Sequence, residues 1–289
     1  AKKTKINLPR LMKILLTGGT GFIGKKFLSL ASKKGFHIFA ISRKKIKIKI
    51  KNVEWLKGEI DDNWGRYLSK VDVVVHLASS GVIKNKKENY ENILNFNVIK
   101  SLNFVLNAIQ NNCRKFVIAS TSSEYFNDGE SDTHKLSVTS KRKSSSAYSL
   151  SKIIFTNILQ IISKKTYCNF RIMRIFPTYG KDEHKKRLYP MLKNYAQKNK
   201  NFHIKNPNEY RDFTKVDYVA KVLIDACEFK NNKKFEIFHV SSLNTLSVKE
   251  FAKRIWRKYK SKGKLTFNVN AKIFKRHISS KKSIWKIDC

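Results

Sequence analysis

Residues Thr17-Gly18-Gly19-Thr20-Gly21-Phe22-Ile23-Gly24 stand directly behind the apolar run Ile14-Leu15-Leu16. The order is buried strand, tight glycine turn, helix start. Glycines alone are weak evidence, but glycines that end a strand and open a helix form a site for a dinucleotide pyrophosphate. The turn lets backbone approach the phosphates, and the N–H groups of the first helical turn carry partial positive charge toward them. The same stretch nearly meets the phosphate-loop pattern of an NTPase. Lys26 stands where Ser or Thr would ligate Mg²⁺, which sets that reading aside.

Hydrophobic residues make up 41% of the 289 positions, enough for a full core and too many for global disorder. The chain carries 61 Lys+Arg against 21 Asp+Glu, a net charge of +40. Such a field attracts nucleic acid, anionic lipid or anionic metabolites. Local concentrations occur at residues 42–49 and 141–143, yet the excess is spread along the whole Lys-, Asn- and Ile-rich chain. A compositional bias is the preferred reading, with nucleic-acid or anionic-surface binding as its rival. Cys113, Cys168, Cys227 and Cys289 form no CxxC pair, and no His cluster has metal-ligand spacing. The expectation is no metal site and single thiols in a reducing cytoplasm. No apolar stretch reaches the ~18–20 residues of a membrane span. Residues 1–11 read as a basic N-terminal extension without the apolar core of a secretory signal, with Met12 as a candidate start.

Strand-like and helix-like patterns alternate, which predicts a parallel sheet built from βαβ units, an α/β fold of the Rossmann type with a doubly wound sheet. Strands are expected at 13–16, 37–41, 52–55, 71–77, 115–119 and 169–175, with a returning strand at 235–240. Helices are expected at 22–33, closed by Gly35, and at 89–111, 146–164 and 247–259. The last begins with a capping box, Ser247 and Glu250. After Ile175 the prolines Pro177, Pro190 and Pro207 punctuate a less regular region. The expected division is a nucleotide-binding domain over 12–175 and 214–245, with a smaller substrate lobe over 176–213 and 246–289.

Three groups of residues carry chemistry. At the end of the second strand, where an acidic residue would hold the ribose of NAD, the sequence reads Ser42-Arg43. Arg43 could pair with a 2′-phosphate, which favours NADP over NAD; the alternative is one more solvated basic residue. Tyr148 and Lys152, four residues apart, share one helical face. A nearby ammonium lowers a phenol's pKa from near ~10, so the tyrosine can exchange protons closer to neutrality. Tyr189 and Lys193 repeat that spacing, but Pro190 makes a poor catalytic helix of them. Thr121 ends the fifth strand, at the sheet edge where ligands bind in open α/β folds.

Taken in order, TGGTGFIG at 17–24, Gly58-Glu59-Ile60, HLAS at 76–79, Asn97-Val98, Ser120-Thr121-Ser122-Ser123-Glu124-Tyr125, YSLSK at 148–152, Arg174 to Gly180 and Arg211 to Asp217 span nearly the whole chain. The set resembles the extended short-chain dehydrogenase/reductase family and, within it, the NAD-dependent epimerase/dehydratase-like nucleotide-sugar enzymes. The resemblance implies that Gly18, Gly21, Phe22, Ile23 and Gly24 cradle the cofactor pyrophosphate. It implies that Glu59 and Ile60 flank the adenine and that Leu77 and Ala78 line the cofactor cleft. Tyr148 would be the acid/base, with Lys152 on the nicotinamide ribose and Thr121 assisting. Ser79, Ser122, Ser123 and Arg211 would meet the substrate, Arg211 at its diphosphate. The family also pairs the helices near 90–111 and 147–164 across a homodimer as a four-helix bundle.

Departures narrow the activity. Related dehydratases carry Asp-Glu where Ser122-Ser123 stand, and many UDP-sugar epimerases carry Asn where Pro177 stands. The absence of an acid after the second strand argues against tightly held NAD. The implied reaction is NADPH-dependent reduction of a nucleotide-linked 4-keto-6-deoxy sugar, serving surface polysaccharide synthesis. An NAD-dependent 4-epimerase is the same-fold alternative.

Overall fold

The apolar runs become the strands of one central sheet, and the amphipathic segments between them become its two helical layers. This computed structural model describes residues 11–82, 89–125, 135–144, 146–275 and 278–286. Residues 1–10 of the basic extension, Cys289 and the last residues of the expected lobe lie outside that set. In chain order the first half runs β1 (Lys13–Thr17), α1 (Phe22–Lys33), β2 (His37–Ser42), β3 (Val53–Lys57), α2 (Gly65–Leu68) and β4 (Val73–His76). It continues with α3 (Tyr90–Leu94), a π-turn at Asn95–Lys100, α4 (Ser101–Gln110), β5 (Lys115–Thr121), a 3₁₀ turn at Ser122–Tyr125, α5 (Ala147–Lys165) and β6 (Asn169–Ile175). The second half contains β7 (Thr178–Tyr179), α6 (Leu188–Gln197), β8 (Phe202–Ile204), β9 (Glu209–Asp212), β10 (Thr214–Lys215) and α7 (Val216–Cys227). It ends with β11 (Phe235–Val240), β12 (Thr245–Ser247), α8 (Val248–Lys258), β13 (Leu265–Phe267) and β14 (Phe274–Lys275).

Seven strands pair in the order β11-β6-β5-β4-β1-β2-β3, all parallel. The order reverses beside β1, and that switch point opens the crevice where open α/β sheets bind ligands. Both sheet faces are covered. Ile14, Leu16, Ile38, Val73 and Val75 pack with Phe27 of α1 and Val219 and Leu223 of α7. Leu15, Val74, Phe116 and Ile118 face Phe104 of α4 and Phe155 and Leu159 of α5. Such double burial explains why these strands read as unbroken apolar runs rather than as alternating ones. Lys26, which spoiled the phosphate-loop pattern, pairs with Asp217 at 2.7 Å and ties α1 to α7.

A separate apolar cluster gathers Leu192 and Ala196 of α6, Phe251, Ile255 and Trp256 of α8, and Phe213, which stacks on Phe251 at 4.0 Å between ring centroids. The capping box at the start of α8 is present: Glu250 N–H donates to Ser247 Oγ at 3.1 Å, and Ser247 N–H donates to Glu250 Oε2 at 2.8 Å.

Two expectations need correcting. The helix expected over 89–111 is interrupted by the π-turn at Asn95–Lys100. The wider turn sets Asn97 facing the loop after β4 and α5, as described below; hydropathy periodicity does not register one inserted residue. Tyr189 and Pro190 do lie in a helix, α6, because Pro190 falls in its first turn, where a backbone N–H has no intrahelical acceptor to lose. No helix among the described residues is long and apolar enough to cross a membrane.

Candidate active site

A cleft of about 1140 Å³ runs along the C-terminal ends of the strands. Its floor begins at the glycine turn. Gly18 has φ +76°, and a Cβ there would lie 2.6 Å from Ala78 N and 2.7 Å from Leu77 C. Only glycine therefore lets the turn pack against the loop after β4. A Cβ on Gly24 would meet Gly18 O at 2.1 Å, so the first turn of α1 sits directly on the loop. The result is an exposed backbone cradle at a helix N-terminus, and its surroundings fit a dinucleotide pyrophosphate. Gly18, Gly21, Phe22, Ile23, Gly24, Arg43, Ile60, Leu77 and Ala78 all line the cleft.

Glu59 does not. Its N–H donates to Asp62 Oδ2 at 2.8 Å, its carbonyl accepts from Trp64 Nε1 at 3.0 Å, and its carboxylate turns toward Lys100, 3.9 Å away. Gly58 and Ile60 flank the cleft in its place. The acidic residues on the lining, Asp182, Glu183 and Glu209, all come from the chain after β6, so none stands at the end of β2 beside Arg43.

A buried chain of hydrogen bonds braces this wall. Thr17 Oγ1 lies 2.7 Å from His76 Nδ1 and accepts the Ala78 N–H at 3.2 Å. His76 Nε2 lies 3.1 Å from Ser101 Oγ, which donates to Phe96 O at 2.9 Å. Those directions are consistent with a neutral imidazole protonated on Nε2. Burial, aided by the Lys152 ammonium, pushes His76 down from its ordinary value of 6.5 to about 3. The unfolded chain takes up the proton first, so the stabilisation is complete above pH 6.5 and is lost as pH falls from there toward 3. In thermal melts, His76 alone should contribute a loss on the order of 3–5 kcal/mol across that window, and His239, which burial also pushes down to about 3, adds to it. A His76→Asn variant should show a visibly flatter slope; an unchanged slope would contradict the neutral imidazole.

The chemistry gathers where β5, the loop after β4 and α5 meet. The Ser146 side chain caps α5 by accepting from Ser149 N–H at 3.2 Å, and Tyr148 follows in the first turn. Thr121 is the last residue of β5, level with Ile175 of β6. Thr121 and Ser79 act on the Tyr148 phenol from the same cleft wall. Lys152, 3% exposed, donates from Nζ to Ala119 O at 3.1 Å. Asn97 locks the pieces together: Oδ1 accepts from Ser80 N–H at 2.7 Å, and Nδ2 donates to Ser80 O at 3.0 Å and to Ser151 Oγ at 2.9 Å. Tyr148, Lys152, Thr121, Ser79, Ser122, Ser123 and Arg211 all line the same cleft.

The electrostatics differ from the sequence expectation. Burial pushes the Tyr148 phenol up to about 12; the nearby Thr121 and Ser79 side chains oppose that rise only in part. Lys152 directs its ammonium at the Ala119 carbonyl, and burial lowers it to about 8. Before ligand binds, the phenol therefore holds its proton firmly, which suits a donor better than a base.

The far wall holds residues that sequence reading missed. Glu183 presents a buried carboxylate oxygen without a hydrogen-bond partner, and burial raises it to about 7. Arg187 reaches across to donate to Val82 O at 3.0 Å. The rings of Tyr179 and Tyr189 are tilted against each other, 5.3 Å between centroids. Arg211 pairs with Glu209 at 2.7 Å and lies over Phe213. Arg211 was expected here from the sequence; for Glu183 and Arg187 the only signal was position after the sixth strand. Among the described residues, no cluster of His, Cys, Asp or Glu could hold a metal.

A profile of the NAD dependent epimerase/dehydratase family matches residues 14–241. The chain is 24% identical to dTDP-4-dehydro-6-deoxyglucose reductase of Escherichia coli over 88% of its length and 84% of that protein's. It is 27% identical to GDP-6-deoxy-D-talose 4-dehydrogenase of Aggregatibacter actinomycetemcomitans over 73% of its length and 69% of the relative's. Its fold superposes on the UDP-glucuronic acid 4-epimerase of Bacillus cereus, solved with UDP-glucuronic acid and NAD, with a TM-score of 0.79, 20% identity and coverage of 94% and 91%.

Proposed function

We propose that this chain, which belongs to the NAD dependent epimerase/dehydratase family, is an NADPH-dependent reductase of a nucleotide-linked 4-keto-6-deoxy sugar. The observation that carries the reading is Tyr148 beside Thr121 and Lys152 on the wall of the cleft that starts at the glycine cradle. The bound cofactor would supply the hydride. Tyr148 would donate its proton to the oxygen of the sugar's keto group. Thr121 would orient that oxygen, and the Lys152 ammonium would stabilise the charge developing on it. Arg211, steadied by Glu209, would hold the substrate's diphosphate. The reductase and the 4-dehydrogenase among the relatives support C4 redox chemistry.

Arg43 supports NADP, because it lines the cleft at the end of β2 while the lining carboxylates Asp182, Glu183 and Glu209 all come from the chain after β6. Exposed Ile99 and Leu106 near and on α4, with Leu150 and Ile161 on α5, support a homodimer through paired helices. Buried free cysteines Cys113, Cys168 and Cys227 support a reducing compartment, the cytoplasm.

The test is cofactor consumption. The protein should oxidise NADPH stoichiometrically with a dTDP- or GDP-4-keto-6-deoxy sugar. Arg43→Glu should lower kcat/KM for NADPH by about 10–100-fold and leave NADH nearly unaffected. Interconversion of two sugars with no net cofactor use would favour the 4-epimerase instead, a reading that the structural neighbour keeps open. The net charge of +40 keeps nucleic-acid binding as the reading of another class. Steeply salt-dependent RNA binding without sugar turnover would favour it.

A further inference from the structure

The cleft explains why Tyr148, Lys152 and Thr121 are polar. It does not explain the ion pair sealed behind them. Glu124, in the 3₁₀ turn that follows Thr121, is 0% exposed. Its Oε1 accepts from Ser120 Oγ. Its Oε2 accepts from Arg174 Nε at 3.2 Å and Nη2 at 3.0 Å, and Arg174 is 1% exposed. Ser120 and Thr121 are the last two residues of β5, and Arg174 lies opposite Ser120 on β6. The carboxylate thus pins the bend that delivers Thr121 to the cleft.

The pair is anchored on its far side as well. Arg174 Nη1 donates to Tyr125 Oη and, at 2.9 Å, to Val138 O. Tyr125 Oη lies 2.7 Å from His239 Nε2, and His239 Nδ1 lies 2.9 Å from Ser279 Oγ. Ser279 N–H donates to Asp212 Oδ2 at 2.8 Å, next in sequence to Arg211. A continuous buried polar path therefore runs from the end of β5 to β9 in the substrate wall.

We propose that Glu124 is a positioning residue for proton donation: clamped between Ser120 and Arg174, its carboxylate fixes the bend that carries Thr121 to the cleft beside Tyr148 and Lys152. This rests on the reading of Tyr148 as the proton donor. A buried pair that served stability alone is poorly motivated, because desolvating two charges commonly cancels their attraction. The groups that face the trio are few. Glu124 raises both Tyr148 and Lys152; Arg187 from the far wall, with Thr121 and Ser79, lowers Tyr148. His76, held neutral, faces Lys152, while Arg142 and Arg174 act on Tyr125. Among the described residues, Glu124 is the one acidic group that acts on both.

The experiment uses Glu124→Gln in the full chain. In the NADPH assay, the alkaline limb of kcat, set by loss of the Lys152 proton near pH 8, should move down by about one pH unit. Activity at pH 6 should fall too, because the clamp on the Thr121 bend is weakened, but by less than at pH 8. A second readout needs no substrate. In protein carrying ¹³C at tyrosine Cζ, the Tyr148 resonance is identified by its absence from Tyr148→Phe. It should begin to titrate at lower pH in Glu124→Gln than in the parent. If Glu124→Gln leaves Arg174 stranded and fails to fold, Glu124→Gln/Arg174→Gln removes the cation too, and a smaller downward move is expected. A folded variant that keeps the parent's kcat at pH 6 and its alkaline limb, with the Tyr148 resonance unmoved, would overturn the proposal. A parent protein inactive on every keto sugar would instead overturn the reductase reading, and the resonance would still decide the role of Glu124.

Discussion

Replacing Tyr148 with phenylalanine is expected to lower kcat by about 10²–10⁴-fold, the usual scale for a lost general acid. NADP affinity and the melting temperature should hardly change. The ring packs as before, and what disappears is one hydroxyl whose neighbours, Thr121 and Ser79, both have other bonds. Thr121 Oγ1 also accepts from Ser123 N–H at 3.1 Å, and Ser79 Oγ also donates to Asn97 Oδ1 at 3.2 Å. No buried polar group is left stranded, so the variant isolates chemistry from folding. Single-turnover rates with NADPH and a keto sugar would check it. Full turnover by the variant would remove Tyr148 from the mechanism.

Gly18→Ala should produce the largest loss of cofactor binding. Two penalties add. At φ +76° an alanine pays about 1–2 kcal/mol for its left-handed backbone. Its Cβ also meets the backbone of Leu77 and Ala78, which cannot retreat easily, because Ala78 N–H is held by Thr17 Oγ1 and Thr17 in turn by His76. The turn should open, lowering NADP affinity by about 100-fold or more and the melting temperature with it. Gly35→Ala is the control. Gly35 has φ +90°, but its Cβ would come no closer than 3.4 Å to a flexible Leu11 side chain. That variant should pay only the backbone strain and keep its affinity, as titration of NADP by calorimetry would reveal.

The contrast between these two glycines also marks what was legible in the sequence. Local order carried the fold. The turn behind Ile14-Leu15-Leu16, the apolar runs that became buried strands, and the capping box at Ser247 each concern residues a few positions apart. The cleft wall that begins at the glycine turn was legible for the same reason, except at Glu59. A short turn there directs the carboxylate to Lys100, and only the packing of Trp64 and Asp62 decides that direction. The π-turn escaped notice because its signature is one inserted residue, and its purpose, the Asn97 bonds to Ser80 and Ser151, joins segments far apart in sequence.

The electrostatics were the least legible. A tyrosine four residues before a lysine suggests a phenol made acidic by an ammonium. Folding adds burial, which acts against that effect, and aims the ammonium at a carbonyl of β5. Glu124 and Arg174 lie 50 positions apart. Neither reads as anything but a surface charge until β5 and β6 pair. Glu183 and Arg187 sit in a stretch without periodicity, so their place on the cleft wall follows only from how the chain after β6 folds back over the sheet edge.

The most direct measurement follows a labelled hydride. NADPH deuterated at the transferring C4 position of the nicotinamide is mixed with the protein and a nucleotide-linked 4-keto-6-deoxy sugar, and the sugar product is weighed by mass spectrometry. Reduction beside the Tyr148 hydroxyl predicts one deuterium in each product molecule at the former keto carbon, with incorporation nearly abolished in Tyr148→Phe. Product that carries no deuterium, or equal incorporation by the parent and the variant, would contradict it.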